Sequence, residues 1–481
     1  METSQASRSF RRESTSLLSA ERRGKLPAFL AAFIFYSLIV LGALVAIPYG
    51  TTEPWSEAVF ECAVFCLALL WIVHGLIEGS WQIGNTRLIA PMVALVIFAL
   101  VQSLALWQVD VAGEKVWFAL SSDPFETRLF AFRVAALVLA TVLIVRFTST
   151  GTRLGILVHA IIAVALASAL FGIARQTLQH GQGFGLSRLT AGLGYAQFIN
   201  KNHFAFLMEA ALGLLIGVAI MQRGRRDRLL LYLSAAVLMW ATVVLSQSRG
   251  GLLSITVQGI FAGLLFVNSR SLQTGGRPTA NRSVRWARSI VVTAIMVAAL
   301  VVVVAAGVVL LGGDQLATGV ETATLEMSGV DRSVVHEGVR RSDIWRATWR
   351  MFKAHPIAGA GFGGFGAEAP VFHEASGALI AQQAHNDYLE LLASGGILGL
   401  ALFIWFAVAL VRQARHSLNS TEGFQRAAAT GAIIGLVGVG VHSIVDFGLH
   451  VTANALVFVA LLAILSLKAM PPPSRSAEVA G

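Results

Sequence analysis

Four stretches of this chain gather the side chains able to do chemistry. LSRLTAGLGYAQFINKNHFAF carries Arg188, Asn200, Lys201, Asn202 and His203, and SQSRGGLL carries Arg249. RRSDIWRATWRMFKAHPIAGAGFGGFG carries Arg341, and AHNDYLELLASGGILGL carries His385, Asn386, Asp387 and Glu390. Guanidinium groups stay charged and grip phosphate oxygens two at a time, so Arg249 and Arg341 are candidates for holding a diphosphate or carboxylate, with Arg188 and Lys201 as further cations. An imidazole exchanges a proton near neutral pH, which makes His385 a candidate general base. Asn386, Asn202 and the pair His442 and Asp446, one helical turn apart, are secondary candidates.

Read singly, each residue also has an ordinary role open to it. His385 can cap a helix, Asp387 and Glu390 can simply favour a helix dipole, and Arg249 can snorkel at a membrane edge. Arg133 and the His442/Asp446 pair are costly inside a bilayer and can pair structurally or serve function. Trp345 and Trp349 read as interfacial anchors. The spacing H-x-D-x-x-E matches no standard zinc pattern, so no metal and no cofactor is expected. The glycine-rich run after Pro356 lacks the Lys-Ser/Thr of a phosphate loop and reads as tight turns or close backbone packing.

The elements that must position these residues are membrane spans. Of 481 residues, 56% are hydrophobic and 13% charged, far from the usual composition of a soluble domain. Crossing the hydrocarbon core takes roughly 20 apolar residues. About twelve stretches qualify: 27–48, 57–77, 88–107, 128–147, 153–174, 203–221, 229–246, 251–269, 289–312, 387–411, 427–447 and 451–467. The predicted fold is therefore an all-α integral membrane protein. Its expected divisions are a basic cytoplasmic segment 1–26, spans one to nine over 27–312, a large periplasmic loop 313–386 with short interfacial helices, spans ten to twelve over 387–467, and a cytoplasmic tail 468–481. The first span is read as retained, not as a cleaved signal. Cys62 and Cys66, inside the second span, read as buried space-fillers.

Arginine placement orients the bundle. Arg8 to Lys25, Arg223 to Arg228 and Arg270 to Arg288 lie in alternate gaps, which puts both termini and those gaps on the cytoplasmic side. The net charge of +10 is thus mostly a topology signal, with membrane lipids rather than nucleic acid as its partners. The same alternation sends all four polar stretches to the outer face. It also turns the N-termini of spans six, eight and ten outward, where free N–H groups favour anions. From Ser342, Trp345, Thr348, Trp349 and Phe352 follow helical spacing with Arg346, Arg350 and Lys353 beside them, which predicts an amphipathic helix at the interface.

Taken in chain order, these motifs resemble the O-antigen ligase and O-antigen polymerase superfamily of bacterial envelope enzymes. RLTAGLGYAQFINKNHFAF is similar to its Arg-x-x-Gly followed by an Asn-rich entry, and SQSRGGLLS to its Ser-Arg-Gly turn. RSDIWRATWRMFKAHPIAGAGFGGFG is similar to its Arg-x-x-x-Trp element followed by Pro and Gly-x-Gly, and AHNDYLELLASGGILGL to its His-Asn-x-x-Leu element. The resemblance covers about 185–450. It implies a metal-independent, inverting glycosyltransferase acting at the periplasmic face of the inner membrane. The donor would be an undecaprenyl-diphosphate-linked glycan, and the acceptor a hydroxyl of a glycan, of lipid A core or of another molecule. By the same resemblance Arg249 and Arg341 would neutralise the donor diphosphate and His385 would activate the acceptor. The long acidic stretch DQLATGVETATLEMSGVDRS departs from a lipid A core ligase, so ligase, polymerase and protein-glycosylating subtypes all stay open. The alternative from another class is a transporter or flippase of lipid-linked glycan, which internal inverted repeats would favour and which the sequence does not display.

Overall fold

In the computed structural model, residues 25–80, 86–180, 183–189, 194–221, 226–273, 341–372 and 382–470 are described. They form a multi-pass, predominantly helical membrane protein. The helices are α1 (Lys25–Val45), α2 (Pro54–Glu78), α3 (Ile89–Gln102), α4 (Pro124–Phe147) and α5 (Gly151–Gln179). They continue as α6 (Lys201–Met221), α7 (Arg226–Leu245), α8 (Arg249–Gln273), α9 (Arg341–Ala354), α10 (Phe365–Phe372), α11 (Asp387–Ser420), α12 (Gly423–His442) and α13 (Thr452–Ser466). Among the described residues eight helices are long and apolar enough to cross a membrane, and three more are apolar but shorter. Eleven predicted spans coincide with these eight and three; the remaining prediction, 289–312, lies outside the described residues, as do 313–340, 373–381 and 471–481.

The strictly all-α expectation needs one correction. The predicted span 88–107 stops at Gln102, and Ala105–Val111 (β1) pairs antiparallel with Glu114–Ala119 (β2). Trp107 to Val111 alternates apolar and polar with period two, and EKVWFA brings the β-branched and aromatic residues Val116, Trp117 and Phe118, which suits a hairpin and not a helix. Ala112 and Gly113 at its tip both have positive φ, 54° and 89°, as a two-residue turn matched to strand twist requires. Cys62 and Cys66 are also corrected: both are exposed on the outside of α2 instead of filling space within it.

The core is built around α6 and α12, which touch backbone to backbone. A Cβ on Gly213 would lie 2.2 Å from Gly435 N, and one on Gly217 would lie 2.5 Å from the Gly431 Cα. In a membrane, where burial of apolar surface gives helices little mutual attraction, such small-residue faces let dispersion contacts drive association. Gly213→Leu is therefore expected to destabilise the detergent-solubilised protein by about 1–3 kcal/mol, read as a lower thermal unfolding midpoint. An unchanged midpoint would mean the two helices do not pack this closely.

The glycine-rich run is used as expected, for close backbone approach. α11 is broken at Gly396, whose φ of 61° and ψ of −157° are non-helical. The loop after α9 fills the break: Ile397 N donates to Pro356 O at 2.9 Å, Leu398 N to Ile357 O at 3.1 Å, and Gly361 N to Ser394 O at 3.0 Å. Gln102 Nε2 clamps both sides, donating to Ala358 O at 2.6 Å and Ser394 O at 3.0 Å. Helix α9 is amphipathic, but its buried face is Ile344, Ala347, Thr348 and Met351, packed with α10 and α11. The predicted apolar stripe is thus displaced: Trp349 is exposed, and the helix rests on protein along the face that includes Thr348.

Candidate functional site

Three helix starts gather at one end of the bundle, and each is capped by a side chain from one of the polar stretches. Asn200 Oδ1 accepts the Asn202 N–H at 2.9 Å at the start of α6. Ser248 Oγ accepts the Gly251 N–H at 3.1 Å, the geometry of an N-cap for α8, and so makes Arg249 the first helical residue. Asn386 Oδ1 accepts from Tyr388 N at 3.1 Å and Leu389 N at 2.9 Å at the start of α11. Asn and Ser suit these places because their short side chains satisfy N–H groups that a helix start leaves free.

His385 precedes the Asn386 cap with a φ of 50°, a left-handed conformation that costs a residue with a side chain about 1–2 kcal/mol. Its position is over-determined by the short loop around it. Glu390, four residues beyond the cap, reaches back so that its Oε2 accepts the Ala384 N–H at 2.7 Å. Asp387 N donates to Ser443 O at 2.9 Å, which ties the loop to the end of α12.

A continuous polar chain then links the stretches. Ser248 Oγ donates to Asn202 Oδ1 at 2.8 Å, and Asn202 Nδ2 donates to Asp446 Oδ2. Asp446 Oδ1 lies 3.4 Å from His385 Nδ1, while the side chain of Asp446 is 1% exposed and that of His385 is 30% exposed. The Nδ1 edge of the imidazole is buried, so the exposed part of the ring is what remains. A buried carboxylate behind one ring nitrogen orients a histidine and favours the tautomer in which the other nitrogen accepts a proton. Four segments more than 40 residues apart in sequence thereby converge on one imidazole.

The remaining predicted residues fall around this chain unequally. Arg249 is exposed at the first turn of α8, directly after Ser248, and Lys201 is exposed at the first turn of α6, directly before Asn202. His442 is fully buried beneath them, with its Nδ1 2.7 Å from Glu209 Oε1. Arg188 is not drawn into the chain: its Nε lies 3.0 Å from Glu53 Oε1, and the side chain is 60% exposed. Arg341 opens α9; its side chain lies outside the described residues. Arg133 donates to Glu57 and, through NH1, to His450 O at 3.4 Å, which is a structural pairing next to the site.

Sequence reasoning missed Ser248, Glu209, Phe447 and His450. Phe447 stands edge-on to three imidazoles, with ring centroids 4.7 Å from His385, 4.9 Å from His203 and 6.0 Å from His450. His450 Nε2 lies 3.4 Å from Glu390 Oε1 and 3.7 Å from Asp387 Oδ1. Burial, helped by the nearby charges of Arg133 and His203, pushes His450 down to about 3, so this ring stays neutral and adds no positive charge to the site. The missed residues left little signal, since a lone Phe or a mid-helix Glu in an apolar run looks like ordinary span content until a partner is placed opposite it.

The arrangement can therefore take a proton at the part-exposed imidazole of His385, and the exposed cations Arg249 and Lys201 stand next in sequence to Ser248 and Asn202 of the same polar chain. Comparison with known families finds that residues 234–404 match the family model for O-antigen ligase, a stretch that includes Arg249, Arg341 and His385. No curated protein matches the chain.

Proposed function

Because the chain belongs to the O-antigen ligase family, we propose that it transfers glycan from an undecaprenyl-diphosphate carrier to an acceptor hydroxyl at the periplasmic face of the inner membrane. The observation that carries this reading is the polar chain from Ser248, beside Arg249, through Asn202 and Asp446 to His385. It runs from the turn that carries Arg249 to the base: hydrogen bonds join Ser248, Asn202 and Asp446, and the 3.4 Å ion-pair contact of Asp446 with His385 closes it.

In this reading His385 takes the proton of the acceptor hydroxyl as its oxygen attacks the anomeric carbon of the donor. The new C–O bond forms as the bond to the diphosphate breaks on the opposite side, so the configuration inverts and the electron pair leaves with the phosphate oxygen. Arg249 neutralises the charge that grows on that oxygen, and Arg341, the first residue of α9, is assigned to the same task by its motif. Fixed cations are worth most where charge develops in a site shielded from water. The N-termini of α6, α8 and α11 add the positive ends of three helix dipoles at the same place. Lys201 and Arg188 extend the donor surface, Arg188 after exchanging Glu53 for phosphate. Asp446 and Asn202 orient His385, Asn386 sets the helix start behind it, and His442 supports the turn. The proton then passes from His385 to solvent. No metal takes part.

The same reading sets the topology: twelve spans, both termini cytoplasmic, and residues 313–386 as a large periplasmic loop. The extended acidic part of that loop favours an acceptor other than lipid A core. The transporter reading has one observation on its side, the break in α11, but that break is closed by the chain's own residues 356–361 and not left open to a substrate path.

The test is reconstitution of the purified protein in liposomes with a lipid-diphosphate glycan donor and a hydroxyl acceptor, in the presence of a chelator. Formation of an inverted glycosidic linkage, with release of the carrier diphosphate, is the expected result. Movement of the intact lipid-linked glycan between leaflets without any new linkage would replace this reading with transport.

A further inference from the structure

Glu209 lies on α6 beneath the proposed chamber and is fully buried. Its Oε1 meets His442 Nδ1 at 2.7 Å, and neither side chain has any exposure. Phe206 stacks on the same imidazole, with centroids 4.2 Å apart and planes 20° apart. The far edge of the ring faces the first turn of α8. A Cβ on Gly250 would lie 2.4 Å from His442 Nε2 and 2.6 Å from its Cδ2, so only a residue without a side chain fits between the ring and that turn. Gly250 directly follows Arg249.

Two more ties hold the three helices in this register. Ser254 Oγ donates to Gly438 O at 2.7 Å, joining α8 to α12. Gln258 Nε2 donates to Glu209 O at 3.0 Å and to Ile434 O at 3.1 Å, joining α8 to both others. An ionisable pair within a membrane bundle is expensive, and a well-packed apolar pair would hold helices together at least as well. What the pair supplies beyond cohesion is direction: a stacked, hydrogen-bonded imidazole has one orientation, and α8 rests on its edge.

We propose that Glu209 is a positioning residue for Arg249. It holds the His442 ring against Phe206, the ring sets the height of the Gly250 backbone, and that backbone aims the neighbouring guanidinium at the donor diphosphate. This rests on the assignment of Arg249 to the donor. Glu209 touches no substrate itself.

The experiment is steady-state transfer by the reconstituted full-length protein, with lipid-diphosphate glycan donor and acceptor varied separately. Glu209→Leu and Gly250→Ala are each expected to raise the donor KM about 10-fold while the acceptor KM stays within about 2-fold. Glu209→Gln keeps an oxygen for His442 Nδ1 and is expected to stay near the parent donor KM. Gly250→Ala acts by clashing with the ring, so in a His442→Ala background it should add nothing, a non-additivity that general loss of folding does not produce. An unchanged donor KM in both Glu209→Leu and Gly250→Ala, parallel changes in both KM values, or full additivity with His442→Ala would each overturn the inference. If Arg249→Ala leaves the donor KM unchanged, the donor assignment itself fails and this inference with it; if Arg249→Ala raises it and Gly250→Ala does not, only the inference falls.

Discussion

Replacing His385 with glycine is expected to cut glycan transfer by about 10²–10⁴-fold while the protein still inserts and still binds donor, because the step that loses its base is proton removal from the acceptor. Glycine is the informative replacement. The backbone at 385 has a φ of 50°, which glycine adopts without strain, whereas alanine keeps the strain of a Cβ there after losing the contacts of the imidazole that hold it. The vacated volume beside Asp446 also invites rescue: added imidazole should restore part of the rate in His385→Gly and none in the parent protein. Asp446→Asn should act on the same step. It places an amide against the Asn202 Nδ2 donor and removes the carboxylate behind His385 Nδ1, for a loss of about 10²-fold with donor KM little changed. Full activity in His385→Gly, measured as product per reconstituted protein, would remove this histidine from the chemistry.

Arg249→Ala carries the second large effect, an expected loss of about 10²–10³-fold in kcat/KM for the donor. The size follows from position. Arg249 sits at the first helical residue of α8, where the helix dipole already favours an anion, and the polar chain that starts at Ser248 leads from that turn to the base. A diphosphate leaving group gains charge as its bond to the sugar breaks, so a fixed guanidinium helps the transition state more than the bound donor. Arg249→Lys restores charge without the two-pronged geometry and should recover only part of the loss. Initial rates at varied donor concentration decide the matter: equal donor dependence in Arg249→Ala and the parent protein would reject the phosphate role.

The glycine-rich segment shows how far function depends on parts that do no chemistry. Pro356 to Gly361 supply the backbone partners for the break in α11, and Gln102 locks that contact from α3. α11 begins at the cap beside His385, so its break lies between the base and the membrane body of the helix. The β-hairpin after α3 is joined to this region, since Ser121 N donates to Gln102 O at 2.9 Å.

Much of this was legible in the residues alone, for a definite reason. Hydrocarbon admits only helices or closed barrels, runs of about 20 apolar residues select the helix, and charge in the connecting segments biases which end of each helix lies together, so composition and arginine placement constrain both the elements and the convergence of His385, Arg249, Asn202 and Asp446. What only the tertiary structure decided are the pairings between distant helices. Glu209 against His442, Arg188 against Glu53, Phe447 among three imidazoles and the Gly396 break filled from Pro356 each require two segments to be brought within a few ångströms. Hydropathy is a property of one helix at a time, so it is silent on which buried polar group meets which, and that meeting sets the site.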